Sequence, residues 1–237
     1  MIIIGNGRLI TRNAAEPYYE NGAVVTENEL IKETGTTAEM RLKYPDAEFV
    51  DAKGGVIMPA FINAHTHIYS ALARGLSIAG YNPTNFYEVL DGMWWKIDRS
   101  LTLEDTRRSA YTTIIDCIKT GCTTIFDHHA SFCQIEGSLF AIAEAAKALG
   151  IRACLCYEVS ERDGEKKCDE SIEENKSFID HCERENDPML KAMFGGHALF
   201  TIGDKTFEKC VKANGGRTGF HIHVCEGMND VYDTAYN

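Results

Sequence analysis

The chain has 237 residues, of which 44% are hydrophobic and 25% are charged, which suffices for one large domain or two modest ones. Its formal net charge of −11 argues against nucleic acid and anionic membrane surfaces as the main partners, and it says little about a small-molecule substrate, because a pocket can carry its own local field. No run of apolar residues is long enough to cross a bilayer.

Nine cysteines are scattered along the chain, and no two of them have the Cys-x-x-Cys spacing. This distribution predicts neither a disulfide framework nor a thiolate zinc site. We therefore expect a cytoplasmic protein, because thiols stay reduced in that compartment. The composition also allows a homo-oligomer.

Residues 1–57 contain short strand signals separated by turn residues. Residues 1–4 are apolar, and Gly5-Asn6-Gly7 predicts a turn directly after them. Residues 37–43 predict a short helix. We expect a small β-sandwich-like domain here, followed at residue 58 by a second domain that reaches residue 237.

From Pro59 onward, apolar runs of strand length alternate with helical stretches, which indicates βα units and a parallel sheet. The predicted strands are residues 60–65, 122–128, 152–159, 190–197 and 218–224. The predicted helices are residues 103–120, 137–149, 169–184 and 206–213. Thr102 is a predicted N-cap, and Gly121 and Gly150 stand where a helix C-terminus favours glycine.

Residues 68–99 form a connection that is much longer than usual, and such loops are commonly functional. The segment contains six of the chain's aromatic residues, namely Tyr69, Tyr81, Phe86, Tyr87, Trp94 and Trp95. These side chains could line a pocket for a flat ring. The alternative is that they pack as a local core, as aromatic residues commonly do.

Histidines stand at the ends of four of the five predicted strands. His65 and His67 are two residues apart, so in a strand they project from the same face. Neutral imidazoles with this arrangement suit a divalent metal such as zinc. A His-x-His pair alone is equally compatible with two unrelated polar residues. The other strand ends contribute His128, His197 and His223, and in parallel barrels active sites form at these ends.

Several motifs together resemble the amidohydrolase superfamily. Within it, the chain is similar to the chlorohydrolase and aminohydrolase branch, which includes deaminases of guanine, cytosine and adenosine-type compounds, and most of all to SsnA-type aminohydrolases. The motifs that carry the resemblance are Pro59-Ala60-Phe61-Ile62-Asn63-Ala64-His65-Thr66-His67, Trp94-Trp95-Lys96-Ile97-Asp98-Arg99, Asp127-His128-His129-Ala130-Ser131, Gly196-His197 and His221-Ile222-His223-Val224-Cys225-Glu226.

The resemblance implies a (β/α)8 TIM-type barrel, of which about five βα units are present. It also implies a metal-dependent aminohydrolase that hydrolyses a C–N bond of a nitrogen heterocycle with metal-activated water. The cofactor would be one divalent ion, zinc in preference to iron. The implied site residues are His65, His67 and His223 as metal ligands, Glu226 and His197 as catalytic residues, and His128, Trp94 and Trp95 as substrate-binding residues.

His221 and His223 share a face of the fifth predicted strand, so the spacing alone allows either to be the ligand. The His-x-x-Glu offset matches the family only for His223, which leaves His221 as a supporting or packing residue. Other branches bind two metals with a lysine at the end of strand four. Here that end carries His197, while Lys191 lies at the strand's beginning, which favours one metal.

The family also has a histidine and an aspartate ligand on later strands, and eight strands close its barrel, whereas residues 58–237 supply five. We therefore expect an N-terminal portion of a longer enzyme. Two alternatives remain at this point. One is a truncated fragment without catalytic activity, and the other is a hydrolase of C–Cl or cyclic amide bonds with the same fold.

Overall fold

The computed structural model describes residues 1–236. Its backbone divides into two compact units, Met1–Ala60 and Phe61–Asn237, whereas the sequence placed the boundary after residue 57. No helix among the described residues is long and apolar enough to span a membrane. All nine cysteines are free thiols.

The first unit contains one five-stranded sheet and one helix, where a β-sandwich-like domain was predicted. Its elements are β1 (Ile2–Ile10), β2 (Tyr18–Glu27), β3 (Leu30–Thr36), α1 (Thr37–Lys43), β4 (Glu48–Asp51) and β5 (Val56–Ile57). The strand order is β3-β2-β1-β4, and β5 also pairs with β1. Successive side chains of β2 point to opposite faces of the sheet. Ala23 and Val25 pack in a cluster with Met40 of α1, and Val24 packs in a second cluster with Leu9 and Ile57.

The turn predicted at Gly5-Asn6-Gly7 is not formed, because β1 runs through these residues. Asn6 takes a left-handed backbone with φ of 56°, and the β1–β2 register shifts between Ile4 and Gly7. Asparagine tolerates this conformation better than most residues, so a bulge bends the strand without ending it.

The second unit alternates strands and helices. Its strands are β6 (Phe61–Thr66), β7 (Cys122–His129), β8 (Arg152–Tyr157), β9 (Leu190–Ala192), β10 (Phe194–Ala198) and β11 (Phe220–His223). Its helices are α2 (Phe86–Val89), α3 (Trp95–Asp98), α4 (Leu103–Lys119), α5 (Ser138–Leu149), α6 (Glu165–Glu185), α7 (Asp204–Asn214) and α8 (Met228–Tyr236). Short 3-10 helices span Ile68–Ala73 and Leu199–Thr201, and a π-helical turn spans Leu90–Trp94.

The strands of this unit pair in parallel, in the order β6-β7-β8-β9, with β10 beside β11. The predicted fourth strand is split after Ala192, so that its first part pairs with β8 and its second part with β11. A single bridge between Val159 and Gly196 connects the two sheets. The strands therefore end on one side, which is where the predicted site residues lie.

Buried Asn175 of α6 fills the gap where the sheet splits. Its side-chain oxygen accepts hydrogen bonds from the amides of Tyr157 and Gly195, at 2.9 and 3.1 Å, and its amide group donates to the Tyr157 carbonyl at 2.8 Å. Gly195 is required here, because a Cβ at this position would lie 2.2 Å from the Tyr157 carbonyl oxygen. The end of β8 is thereby held close to the beginning of β10.

Helix boundaries follow the local signals. Thr102 and Asp105 form a capping box at the start of α4, and Gly121 and Gly150 have positive φ just after α4 and α5, as predicted. Buried Glu174 of α6 accepts hydrogen bonds from the amides of Gly137 and Leu139, both at 2.9 Å, and so satisfies free N–H groups at the start of α5.

Candidate active site

Three histidines converge at the carboxyl ends of β6 and β11. Nε2 of His67 lies 3.1 Å from Nε2 of His65 and 3.2 Å from Nε2 of His223. One ligand atom from each of the three residues lies within 4.8 Å of the others. Three nitrogen atoms this close can share a divalent cation, which makes this cluster a candidate metal site.

Backbone carbonyls orient two of the three rings. Nδ1 of His67 donates to the carbonyl of His128 at 2.8 Å, and Nδ1 of His223 donates to the carbonyl of His197 at 3.0 Å. A neutral imidazole carries one proton, so both Nε2 atoms keep a free lone pair. This is the arrangement that metal-binding histidines usually have.

A side chain orients the third ring. Nδ1 of His65 lies 2.8 Å from Nε2 of His221. For His65 to offer Nε2 to a metal, its Nδ1 must carry the proton and donate it to His221. This geometry gives His221 a contact that supports the ring of His65. The sequence had left open whether His221 is a supporting or a packing residue.

Burial favours the neutral form of two of the three rings. It lowers the pKa of His67 below its ordinary value, and burial together with the neighbouring His67 and His197 lowers the pKa of His223 to about 4. Neutral imidazoles are the form that binds metal, so the chemistry of the donor set fits a borderline ion such as zinc.

His128 and Asp127 lie behind this cluster. His128 is fully buried, its Nε2 donates to the carbonyl of Gly196 at 2.9 Å, and its ring centre lies 4.4 Å from that of His223. Asp127 is also fully buried and accepts a hydrogen bond from the amide of Ile68 at 2.7 Å. Burial raises the pKa of Asp127 to about 8.

A cavity of about 200 Å³ opens beside the histidine cluster. Its wall is largely aromatic, with a few polar side chains. The lining residues are His67, Tyr69, Ser70, Phe86, Leu90, Trp94, Trp95, Glu158, His197, His223 and Glu226. The long segment therefore supplies a pocket wall, as its aromatic content predicted, and Trp95 is at the same time buried.

Glu226 and His197 both face this cavity. Burial, together with the charges of Asp230 and Glu158, raises the pKa of Glu226 above its ordinary value. Nδ1 of His197 lies 2.8 Å from the Thr201 hydroxyl, which itself donates to the carbonyl of Ala198 at 2.9 Å. His197 therefore donates from Nδ1 and presents an unprotonated Nε2.

A buried ion-pair cluster adjoins the cavity. Arg162 donates to Asp98 at 2.6 Å and to Glu158 at 3.0 Å, and its guanidinium lies 4.0 Å from the ring centre of Phe132 and 5.1 Å from that of Trp95. Burial would raise the pKa of Glu158, but this effect is outweighed by the positive charges that His197 and His128 carry once they are protonated and by that of Arg162, so the pKa of Glu158 is lowered to about 2.

The structure brings most of the predicted site residues together. His65, His67 and His223 form the cluster, and Glu226, His197, Trp94 and Trp95 line the cavity beside it. His128 is not among the described side chains that line the cavity. Roles for all eight residues stay predictions.

The sequence reasoning missed Glu158, which directly follows β8. Its position near the end of the third predicted strand was an available signal, because histidines follow the other four predicted strands at the same place. Arg162 could not be found in this way, because it lies beyond the strand in a loop and reaches the site through its partners.

Comparison with known proteins provides an independent line of evidence. A family model described as the amidohydrolase family matches residues 56–235, and one described as an imidazolonepropionase-like composite domain of bacteria matches residues 22–47. A 5'-deoxyadenosine deaminase of Methanosarcina barkeri is 30% identical over 226 residues, which cover 95% of this chain and 49% of the relative. A 5-methylthioadenosine/S-adenosylhomocysteine deaminase of Syntrophomonas wolfei is 29% identical, with coverage of 95% and 49%. The chain thus spans about half the length of these curated relatives.

Solved structures share the fold at lower identity. An atrazine chlorohydrolase of Arthrobacter aurescens in complex with zinc has a TM-score of 0.77 at 19% identity, and the match covers 100% of this chain and 56% of that one. An adenosine deaminase of Xanthomonas campestris with bound zinc has a TM-score of 0.77 at 20% identity, with coverage of 99% and 51%. The partial (β/α)8-type barrel predicted from the sequence is confirmed.

Proposed function

The chain belongs to the amidohydrolase family, and we propose that the protein removes an amino group from a nitrogen heterocycle by hydrolysis, using one divalent metal ion. The observation that carries this proposal is the histidine cluster, in which His65, His67 and His223 direct Nε2 atoms toward one point while their Nδ1 atoms are engaged. The matched relatives named above as deaminases support the reaction type.

We assign the metal to these three histidines and favour zinc, because neutral imidazole nitrogens suit it and because the two solved relatives above contain it. Bound there, the ion would supply Lewis-acid chemistry and lower the pKa of a water molecule toward ~7. The chain's own residues supply binding, orientation and proton transfer.

Glu226 is the proposed general acid and base. Deamination requires removal of a proton from the attacking water and delivery of a proton to the leaving amine, and one carboxyl group can do both in turn. The raised pKa of Glu226 favours this exchange near neutral pH. The free Nε2 of His197 can accept a hydrogen bond from the substrate in the same cavity.

The aromatic wall would hold the heterocycle. Trp94, Trp95, Tyr69 and Phe86 give the cavity flat apolar surfaces, which suit the faces of a planar ring. Hydrolysis of a C–Cl or cyclic amide bond is the alternative on the same fold, and the released product separates the two. We favour the amine because the sequence relatives above are deaminases.

The test uses the protein at its full encoded length, loaded with zinc, and a panel of aminopurines, aminopyrimidines and chlorotriazines. We expect ammonia release that stops on metal removal and returns on adding zinc. The variant His65→Ala/His67→Ala should lose both metal and activity, while His181→Ala, a histidine outside the cluster, should keep both. Chloride release without ammonia release, or full metal content in the double variant, would refute the proposal.

A further inference from the structure

Glu158 is a second carboxylate in the wall of the candidate active site. Its side chain is 4% exposed, and it lines the same cavity as Trp94, Trp95 and Glu226. The roles assigned above to the metal ligands, to Glu226 and to His197 leave it without a function. A buried carboxylate is costly unless it is paired, so its position in an aromatic pocket requires a reason.

One of its two oxygen atoms is already engaged. Arg162 donates to Oε1 at 3.0 Å, and Arg162 is itself fixed by Asp98 at 2.6 Å and by the ring of Phe132. Glu158 is therefore held in one orientation before any ligand binds, as expected for a recognition group.

The other oxygen is free to accept. Nδ1 of His128 lies 3.8 Å from Oε2, which is beyond hydrogen-bonding distance, and it carries no proton when Nε2 of the neutral ring donates to the Gly196 carbonyl. Among the hydrogen bonds of the described residues, none ends on Oε2. Nδ1 of His128 has no hydrogen-bond partner in that part of the chain either.

The chemistry of the cavity restricts what can satisfy this oxygen. Its other walls are largely aromatic, and an anionic ligand group would meet repulsion from both Glu158 and Glu226. A carboxylate oxygen accepts hydrogen bonds and donates none, so its natural partner is an N–H group. A planar ring between aromatic side chains could present such a group at its edge.

We propose that Glu158 selects the substrate by accepting a hydrogen bond from a ring N–H or a second amino group of the heterocycle. This inference rests on the proposed function, because it takes the ligand of this cavity to be a nitrogen heterocycle. It narrows the substrate class to heterocycles that keep an N–H donor besides the amino group that is removed. Rings whose other nitrogen atoms are alkylated or only accept hydrogen bonds are disfavoured.

The competing explanation is that Glu158 only fixes Arg162. The two roles predict different results for Glu158→Gln, which keeps an oxygen for Arg162 and replaces the other oxygen with an N–H2 group. This variant preserves the side-chain volume, so a preference that arises only because the methyl group of the ligand clashes with the protein would persist in it. A preference that depends on the hydrogen bond to the carboxylate would be lost, because the acceptor is gone.

The experiment measures binding and turnover with matched ligands that differ by one N-methyl group. Binding of 2-pyrimidinone and its 1-methyl derivative is followed by quenching of tryptophan fluorescence, since both tryptophans of this chain, Trp94 and Trp95, line the cavity. Turnover is compared for cytosine and guanine and for their singly N-methylated isomers. The zinc-loaded protein at full encoded length is used throughout.

In the wild type we expect at least one N–H ligand to be preferred about 10- to 100-fold over its methylated partner, the scale of a hydrogen bond to a charged group. In Glu158→Gln the ratio should fall to within about threefold of one. Asp98→Asn, which disturbs the same cluster without lining the cavity, should keep the wild-type ratio.

Equal binding of every N–H and N-methyl pair by the wild type would overturn this inference, as would an unchanged ratio in Glu158→Gln. If Glu158→Gln does not fold, Glu158→Asp, which withdraws the carboxylate and keeps its charge, must lower the ratio for the inference to stand. Absence of any turnover together with a preference in binding would refute the proposed reaction and leave this inference intact.

Discussion

Replacing Arg162 with leucine would remove the cation that two buried carboxylates share. The side chain of Arg162 is 5% exposed, and those of its partners Asp98 and Glu158 are 1% and 4% exposed. Removing one partner of a buried ion pair typically costs about 3–5 kcal/mol, because the remaining charge is left without compensation. Leucine keeps apolar contact with the ring of Phe132, so we expect a loss of stability of about that size.

The matched control is Arg99→Leu, which breaks an ion pair nearer the surface. Arg99 lies 2.7 Å from Asp163, with exposed side-chain fractions of 37% and 18%. Partly exposed pairs of this kind contribute about 0–1 kcal/mol. Urea denaturation of both variants beside the wild type, followed by circular dichroism at pH 7.5, gives the two free energies of unfolding.

The difference in the free energy of unfolding between the wild type and Arg162→Leu should depend on pH. In the wild type the pKa of Glu158 is lowered from 4.5 to about 2, so its contribution to stability is present above pH 4.5 and is lost as the pH falls toward 2. Burial already raises the pKa of Asp98 to about 7 in the wild type, and Arg162 opposes this rise. Without Arg162 the pKa values of Asp98 and Glu158 would both be higher than in the wild type, so the variant would recover more stability than the wild type as these groups bind protons. The gap between wild type and Arg162→Leu should therefore be smaller at pH 5 than at pH 7.5. An equal loss in Arg162→Leu and Arg99→Leu, or a gap that widens at pH 5, would refute the reasoning.

Two further predictions concern the site itself. Glu226→Gln in the full-length protein should retain its metal and lower kcat by at least ~10²-fold, as expected for a lost acid and base, and a near-normal kcat at full metal occupancy would move that role to another residue, with His197 the next candidate. His221→Phe should weaken zinc binding about 10- to 100-fold, because the ring of His65 loses its acceptor, whereas His181→Phe should leave zinc affinity unchanged. Titration with a competing zinc chelator measures the zinc affinity of both His variants. Partial recovery of zinc affinity in His221→Gln, which restores a hydrogen-bond acceptor for His65, would distinguish the acceptor role of His221 from simple packing.

The sequence could predict the parallel sheet because its signals are local and repeated. Apolar runs at 122–128 and 152–159 alternate with amphipathic stretches that end in glycine, and the observed strands and helices follow them closely. The split of the fourth strand was not predictable in this way. It depends on Asn175, which lies on the helix between β8 and β9 and accepts hydrogen bonds from the amides of Tyr157 and Gly195.

The histidines proposed to bind the metal could be predicted to lie together from their spacing, because a strand places alternate residues on one face. The same rule could not separate His221 from His223, since both satisfy it. Their difference lies in what each ring contacts. Nδ1 of His223 meets a carbonyl, whereas Nε2 of His221 meets the ring of His65.

The roles of Glu158 and Arg162 could not be predicted from the periodicity of the sequence. The carboxylate lies at a strand end, where the rule that located the histidines would also have found it, but its meaning depends on the partner of each oxygen. Arg162 engages one oxygen, and the same residue lines the cavity. A pattern of residue types can place a charge beside a pocket. Only the positions of Arg162, Asp98 and His128 determine whether that charge is satisfied by the protein or available to a ligand, and this distinction turns a buried ion pair into a candidate specificity determinant.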